Sequence, residues 1–314
     1  SDDSGDACEA ADEASEYGML FFTAAGNDAE EHWQGTFNPS STEPGWHDFG
    51  GGDTYVGIDV APYGSIKAYM QFAYSLPFDN YNYDLYLYDD PPTNILASST
   101  NGLNVPEALT WTNPSAYTTR VNLAVWRSFG GETELEIFGI VDGKWTNHVM
   151  SSSSTASPAN AYDYSVHVVG GVDWHSFNAS AGTTGIIENY SSRGPTNDGD
   201  RAVDMCGPTD VGNYTYVVFG GTSASTANCA GAATLFWSAH PFMMNWGVSW
   251  LLRKQAQIYK DWGGGGPDST YGYGGLALVD YHAGTLWLDR AYDWPPIPAG
   301  NPSFPFYYVS DAQD

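Results

Sequence analysis

The sequence predicts an α/β protein with a parallel sheet flanked by helices, interrupted by an all-β sandwich. Two observations predict this. Unbroken apolar runs, of the kind a parallel strand covered on both faces needs, occur near residue 20 and again beyond residue 160. Between them, over residues 31–155, strict period-two alternation takes over and no helix-period stretch appears.

In order along the chain, Glu9, Asp12 and Glu13 load the first part of a helix, where the helix dipole favours acids. Ala10, Ala11 and Ala14 allow close packing, and Gly18 closes the helix. Met19–Ala25 reads as a buried strand that ends at Gly26-Asn27-Asp28. Residues 31–155 alternate in Tyr69–Tyr74, Tyr83–Tyr88, Arg120–Val125 and Glu134–Phe138, with turns at Asp89-Asp90-Pro91-Pro92 and Gly130-Gly131. That is a sandwich of the jelly-roll sort. From about residue 156 the first texture returns. Val166–Val169 and Tyr216–Phe219 read as buried strands, and a small-residue helix covers roughly Ser223 to Ser238. A further helix carries Val248, Leu251, Leu252, Ala256 and Tyr259 on one face. The domain plan is therefore a core from 1–30 and 156–290, an insert at 31–155, and an extended tail at 291–314 with five prolines.

Composition narrows the function. The 314 residues carry 37 acidic and 10 basic side chains, a formal net charge of −27. A phosphate backbone would be repelled over most of such a surface, so nucleic acid is not an expected partner. No apolar run reaches membrane-spanning length. No basic-then-apolar signal segment opens the chain, which reads as mature, truncated or processed. Acidic, lysine-poor, aromatic-rich chains are common outside cells, so an extracellular or cell-surface location is expected. Cys8, Cys206 and Cys229 are an odd set, so they are either small buried hydrophobes or include a thiol free to pair with another chain.

Three segments carry chemistry. Gly220-Gly221-Thr222-Ser223-Ala224-Ser225 is a tight turn that delivers a serine to a helix start. Unpaired N–H groups and the positive end of the dipole would favour an oxyanion there. The plainer reading is an N-cap. Ala24-Ala25-Gly26-Asn27 places a carboxamide at the carboxyl end of a strand, where open α/β sheets bind ligands. Ser191-Ser192-Arg193-Gly194-Pro195-Thr196 is a polar turn between strand-like runs.

In this order the segments resemble the subtilisin-like serine peptidases, the subtilases. The resemblance runs through Ala24–Asn27, Ser157-Pro158-Ala159 with Val166–Asp173, Tyr190–Thr196, Val203–Pro208, Gly221–Gly231 and Asp268–Gly274. It implies the carboxyl-terminal part of a subtilisin-like sheet, with the amino-terminal half of that sheet missing. It further implies Ser223 as the nucleophile of an acyl-enzyme mechanism and Asn27 as oxyanion donor, with the Ser223 N–H as second donor. Gly26, Gly221 and Thr222 would then line the substrate. Losing one oxyanion donor costs about 3–4 kcal/mol, a magnitude established in a subtilisin. Sedolisin-like peptidases share Gly-Thr-Ser-Ala-Ser, but they use an Asp where Asn27 stands.

The resemblance has departures. Ser225, Thr226, Ala227 and Asn228 replace the family's Ala, small residue, Pro and His after the nucleophile. The family's catalytic Asp and His come well upstream of the oxyanion Asn, and the 26 residues before Asn27 hold neither motif. His32, His47, His148, His167, His175, His240 and His282 lie in no Gly-rich turn after an Asp-bearing strand. The enzyme reading therefore needs an upstream segment of the same precursor as partner, besides a polypeptide substrate. The competing reading is a catalytically inert subtilase-derived subunit that serves assembly, including self-assembly. No cofactor is required by either.

The insert's Asp84-Leu85-Tyr86-Leu87 is similar to strands of small jelly-roll domains appended to secreted peptidases. Asp79, Asn82 and Asp84 offer oxygen ligands to calcium, with ordinary turn chemistry as the alternative. Tyr81, Tyr83, Tyr86 and Tyr88 read as strand packing or as a binding face. Sequons stand at Asn178, Asn189 and Asn213.

Overall fold

The computed structural model describes residues 5–73, 80–159, 161, 165–177, 185–212, 214–215 and 217–278. The expected tail at 291–314, Asp79, Tyr216, His282, Asn178 and Asn213 lie outside the described residues. Residues 1–277 make one compact unit, and Leu278–Asp314 make a second, of which only Leu278 is described.

The chain opens with helix α1 (Asp6–Glu16) and strand β1 (Phe21–Ala24). Nine strands follow: β2 (His32–Thr36), β3 (Val56–Val60), β4 (Ser65–Phe72), β5 (Asn82–Tyr88) and β6 (Ile95–Ser99), then β7 (Glu107–Thr112), β8 (Thr119–Phe129), β9 (Glu134–Val141) and β10 (Gly143–Trp145). The rest is β11 (Val166–Asp173), the short α2 (Trp174–Phe177), β12 (Met205–Thr209), α3 (Gly221–Ala239) and α4 (Asn245–Lys260).

The strands sort into three sheets. β1, β11 and β12 form a parallel sheet in the order β1-β11-β12. The nine strands between His32 and Trp145 form two antiparallel sheets, β10-β3-β8-β5-β6 and β2-β9-β4-β7. The fold is thus an α/β sheet with helices and an all-β insert, as the two sequence textures require.

The insert's core comes from alternate side chains of both sheets. Val56, Ile58, Ile66, Met70, Leu85, Leu87, Leu123 and Ile137 are all fully buried in one cluster. Each such side chain contributes about 1.5–3 kcal/mol of burial. On β8 the alternation breaks: Leu123, Ala124 and Val125 are all buried. The cause is a covering segment, since the His47 N–H donates to the Val125 carbonyl and Trp46 packs on Trp126 at 5.0 Å.

Three expectations change. β1 is shorter than Met19–Ala25 and only half-buried except at Thr23. Among the described residues it pairs on one side alone, with β11, so its outer edge is open. Val217-Val218-Phe219 is not a buried strand: Val217 and Val218 are exposed, and Phe219 makes one isolated bridge to Val211. An apolar run alone does not make a strand when no neighbouring strand offers its backbone partners. The helix expected from Ser223 starts two residues earlier, at Gly221, with Gly220 as its cap.

All three cysteines are free thiols and buried. Cys206 and Cys229 sit in the cores beside the parallel sheet, where burial pushes both thiols upward, Cys229 to about 12. No helix of the described residues is long and apolar enough to cross a membrane.

Candidate active site

The parallel sheet brings two loops together at the carboxyl ends of its strands. One follows β1 and holds Gly26-Asn27-Asp28, and the other leads into α3. Gly26 has φ 108°, a backbone conformation that L side chains rarely adopt. A Cβ there would also sit 2.8 Å from the Ser192 hydroxyl. That closeness is used, because the Asp28 N–H donates to Ser192 Oγ at 3.0 Å and the Ser192 N–H donates to the Gly26 carbonyl at 3.0 Å. The Ser191-Ser192 turn is therefore the buttress of the Asn27 loop, and Ser191 Oγ accepts from the Gly171 N–H on β11.

The Asn27 carboxamide faces the α3 start. Its Oδ1 accepts from the Thr222 N–H at 3.0 Å and from Thr222 Oγ1 at 3.1 Å. A backbone N–H can only donate, so the accepting atom must be the oxygen, and the side-chain orientation is settled. Nδ2 makes no hydrogen bond to the described residues. The Thr222 hydroxyl, with one hydrogen to give, shares it between Asn27 Oδ1 and the Gly26 carbonyl at 3.2 Å, both on the same loop.

Ser223 is the third residue of α3 and is exposed, with a hydroxyl that makes no hydrogen bond to the described residues. The N-cap reading does not hold, because Gly220 occupies that place and makes no side-chain cap. The Ser223 N–H lies in the first helical turn, where α-helix geometry supplies no acceptor. An exposed hydroxyl, a first-turn N–H and a carboxamide bound to the preceding residue stand together at the positive end of a 19-residue helix. Gly221, at φ 82°, makes this approach feasible: a Cβ would lie 3.3 Å from Asn27 Nδ2.

Two residues of this site were not singled out as functional in the sequence. Tyr190 accepts from the Gly221 N–H at 3.2 Å, and Thr209, at the end of β12, donates to the Gly221 carbonyl at 3.0 Å. Their only sequence signal was proximity to the Ser-Ser-Arg-Gly-Pro turn and to a strand end.

The six described histidines are engaged elsewhere. His32 meets the Met150 carbonyl at 2.9 Å and Glu136 at 3.5 Å, and His47 Nδ1 accepts from the Asn38 N–H. His148 pairs with Asp53 and His175 with Asp173, each at 2.9 Å. His240 meets the Phe236 carbonyl, and His167 is fully buried and stacked on Phe22. None of the six hydrogen-bonds Ser223.

For the calcium candidates, Asp84 Oδ2 already accepts from the Ser128 and Tyr86 hydroxyls. The Asn82 carboxamide oxygen is buried without a hydrogen-bond partner among the described residues. No group of three or more His, Cys, Asp or Glu among the described residues could hold a metal ion. Of the aromatic stripe, Tyr83 faces the sandwich core, while Tyr86 and Tyr88 pack against Trp46 on the opposite face.

Fold and site together define a parallel α/β scaffold that sets an exposed serine, a first-turn N–H and a carboxamide at one helix start. The chain belongs to the subtilase family, whose model matches residues 81–274. That span begins inside the sandwich, after Asn27, and takes in Ser223. Among solved structures the Clostridium perfringens CspB protease is similar in fold, with 14% identity and a TM-score of 0.53. The alignment covers 83% of this chain and 59% of that one, so this chain spans less than two thirds of its relative. The S41 psychrophilic protease (22% identity) and sphericase (21%) align over 41% of this chain and 44% of theirs, each with a TM-score of 0.34. No curated protein matches the chain.

Proposed function

We propose that this chain is the serine-bearing part of a secreted subtilisin-like endopeptidase. Ser223 attacks the scissile carbonyl and forms an acyl-enzyme, and water then releases the acid product. Asn27 Nδ2 and the Ser223 N–H stabilise the oxyanion, while Gly26, Gly221 and Thr222 border the bound peptide. The observation that carries this reading is the Thr222 N–H to Asn27 Oδ1 bond at 3.0 Å, which leaves Nδ2 without a partner among the described residues, beside an exposed serine.

A serine hydroxyl needs a base, and the base and its orienting Asp would come from an upstream segment of the same precursor. The open edge of β1 supports such a partner, because an unpaired edge invites strand addition. The reaction as proposed needs no cofactor. Calcium at Asp79, Asn82 and Asp84 belongs to the same reading, and a calcium-dependent rise in the unfolding temperature, lost in Asp84→Asn, would support it.

The test is labelling with a serine-directed fluorophosphonate. The chain alone should label slowly, because Ser223 keeps its proton without a base. Supplying the upstream segment should restore labelling and peptide cleavage, and Ser223→Ala should abolish both. Fast labelling of the chain alone would make one of its own histidines the base. The inert assembly subunit is the second reading, favoured by the engagement of all six described histidines away from Ser223. Failure to label even with the upstream segment would decide for it.

A further inference from the structure

We infer that Tyr190 is a positioning residue for the oxyanion site: its hydroxyl closes a ring of hydrogen bonds around Gly221 that sets the orientation of Asn27. The inference rests on the reading of Asn27 and Ser223 above.

The ring has one consistent direction. The Gly221 N–H can only donate, so it donates to the Tyr190 oxygen at 3.2 Å. The Gly221 carbonyl can only accept, so it accepts from Thr209 Oγ1 at 3.0 Å. Thr209 has then spent its single hydrogen. The 3.3 Å contact between the two hydroxyls is therefore donated by Tyr190 to Thr209. Three bonds in a closed cycle polarise one another in the same sense.

The ring acts on Asn27 through one peptide plane. The plane between Gly221 and Thr222 is held at its carbonyl by Thr209 and at its N–H by Asn27 Oδ1. Rotating that plane would swing the Thr222 N–H away from Asn27 Oδ1 and release the carboxamide. Gly221 itself supplies no restraint, since it has no Cβ and sits at φ 82°. Hydrogen bonds from other elements must hold it, and among the described residues only Tyr190 engages both its N–H and Thr209. Thr209 is fully buried, so a lost donor there is not replaced by solvent. Burial, with Asp210 and Glu188 close by, raises the Tyr190 phenol above its ordinary range, although the Thr209 and Gly221 bonds oppose this; the hydroxyl keeps its proton at working pH.

Tyr190→Phe tests this, because it keeps the ring and removes only the hydroxyl. In the full precursor product, kcat should fall about tenfold with KM within about twofold. Thr209→Val should behave alike, and Thr209→Ser, which keeps the hydroxyl, should restore the wild-type rate. In the chain alone, hydrogen exchange at the Gly221 amide should quicken in Tyr190→Phe while amides of the β-sandwich stay protected, which shows that the variant is folded. Unchanged kcat and unchanged Gly221 exchange would overturn the inference and leave the enzyme reading standing. A raised KM with kcat kept would also overturn it, assigning Tyr190 to substrate binding. A wild-type precursor product that neither cleaves nor labels would overturn the enzyme reading, and this inference with it.

Discussion

Asn27 and Thr222 stand 195 positions apart, yet Asn27 Oδ1 accepts from both the N–H and the hydroxyl of Thr222, at 3.0 and 3.1 Å. The contact orients one carboxamide, and it joins the loop after the first parallel strand to the helix that begins beside Ser223. Removing either partner therefore acts on the whole site.

Asn27→Ala removes the proposed oxyanion donor and the acceptor of the Thr222 N–H. Turnover in the precursor product should fall about a hundredfold or more, while fluorophosphonate labelling of Ser223 is partly kept. Asn27→Asp retains the acceptor but turns a carboxylate toward the developing negative charge, so its turnover should be no better. Steady-state kinetics beside labelling rates would separate these outcomes, and an Asn27→Asp variant faster than Asn27→Ala would remove Asn27 from the oxyanion role.

Gly221→Ala tests the backbone. At φ 82° an alanine is strained by about 1 kcal/mol, and its Cβ would press on the Asn27 carboxamide at 3.3 Å. Unfolding should show a loss of about that size, with Ser223 reactivity falling by more than the stability change explains. Loss of stability with labelling unchanged would count against the approach of Gly221 to Asn27 as a functional contact.

Glu31 carries a pH dependence. Burial first, with Asp28, Glu30 and Asp142 adding like charge against the opposing Val141 N–H, raises its carboxyl to about 7. The folded protein thus holds a proton that the unfolded chain releases near pH 4.5. Stability from this group is full below pH 4.5 and declines as pH rises toward 7. Glu31→Gln should match the wild type at pH 4 and exceed it at pH 8 by about 1–2 kcal/mol, solvent screening of a partly exposed carboxyl trimming the full shift. Urea unfolding at the two pH values measures this, and an equal difference at both would refute it.

His47 has the opposite sign. Its ring is packed by Trp33, Phe37 and Phe49, and burial lowers it to about 4 despite Asp48, with His148 lowering it further. The unfolded chain protonates near pH 6.5 while the folded ring stays neutral, so stability is lost as pH falls from 6.5 to about 4. The loss should approach about 3 kcal/mol. Measuring it in the Glu31→Gln background removes the opposing slope. A His47 NMR resonance that titrates near pH 6.5 would be inconsistent with this packing.

Much of the architecture was legible because it is local. Period-two alternation across Tyr69–Phe72 and Tyr83–Tyr88 marks strands with one buried face, and Met70, Phe72, Tyr83, Leu85 and Leu87 are buried as it requires, with Asp84 the exception, buried on the opposite face of β5. Gly-Gly-Thr-Ser before an alanine-rich run marks a helix start, because glycine and small residues behave predictably within one turn. The order of these segments, and with it the family, could also be read directly.

Other features depend on distant partners that no window of sequence contains. The half-burial of β1 follows from its place at the sheet edge, and the burial of Ala124 follows from the Trp46 segment lying over β8. Val217-Val218 has a strand's composition but finds no strand among the described residues to pair with, so hydrogen-bond supply overrode propensity there. The Tyr190–Thr209–Gly221 ring joins positions 190, 209 and 221 only because the ends of parallel strands converge on one edge. Side-chain chemistry and short-range geometry were determined by the sequence itself. Which donors meet which acceptors was decided by the tertiary structure, because a hydrogen bond needs atoms about 3 Å apart and chain order does not supply that distance.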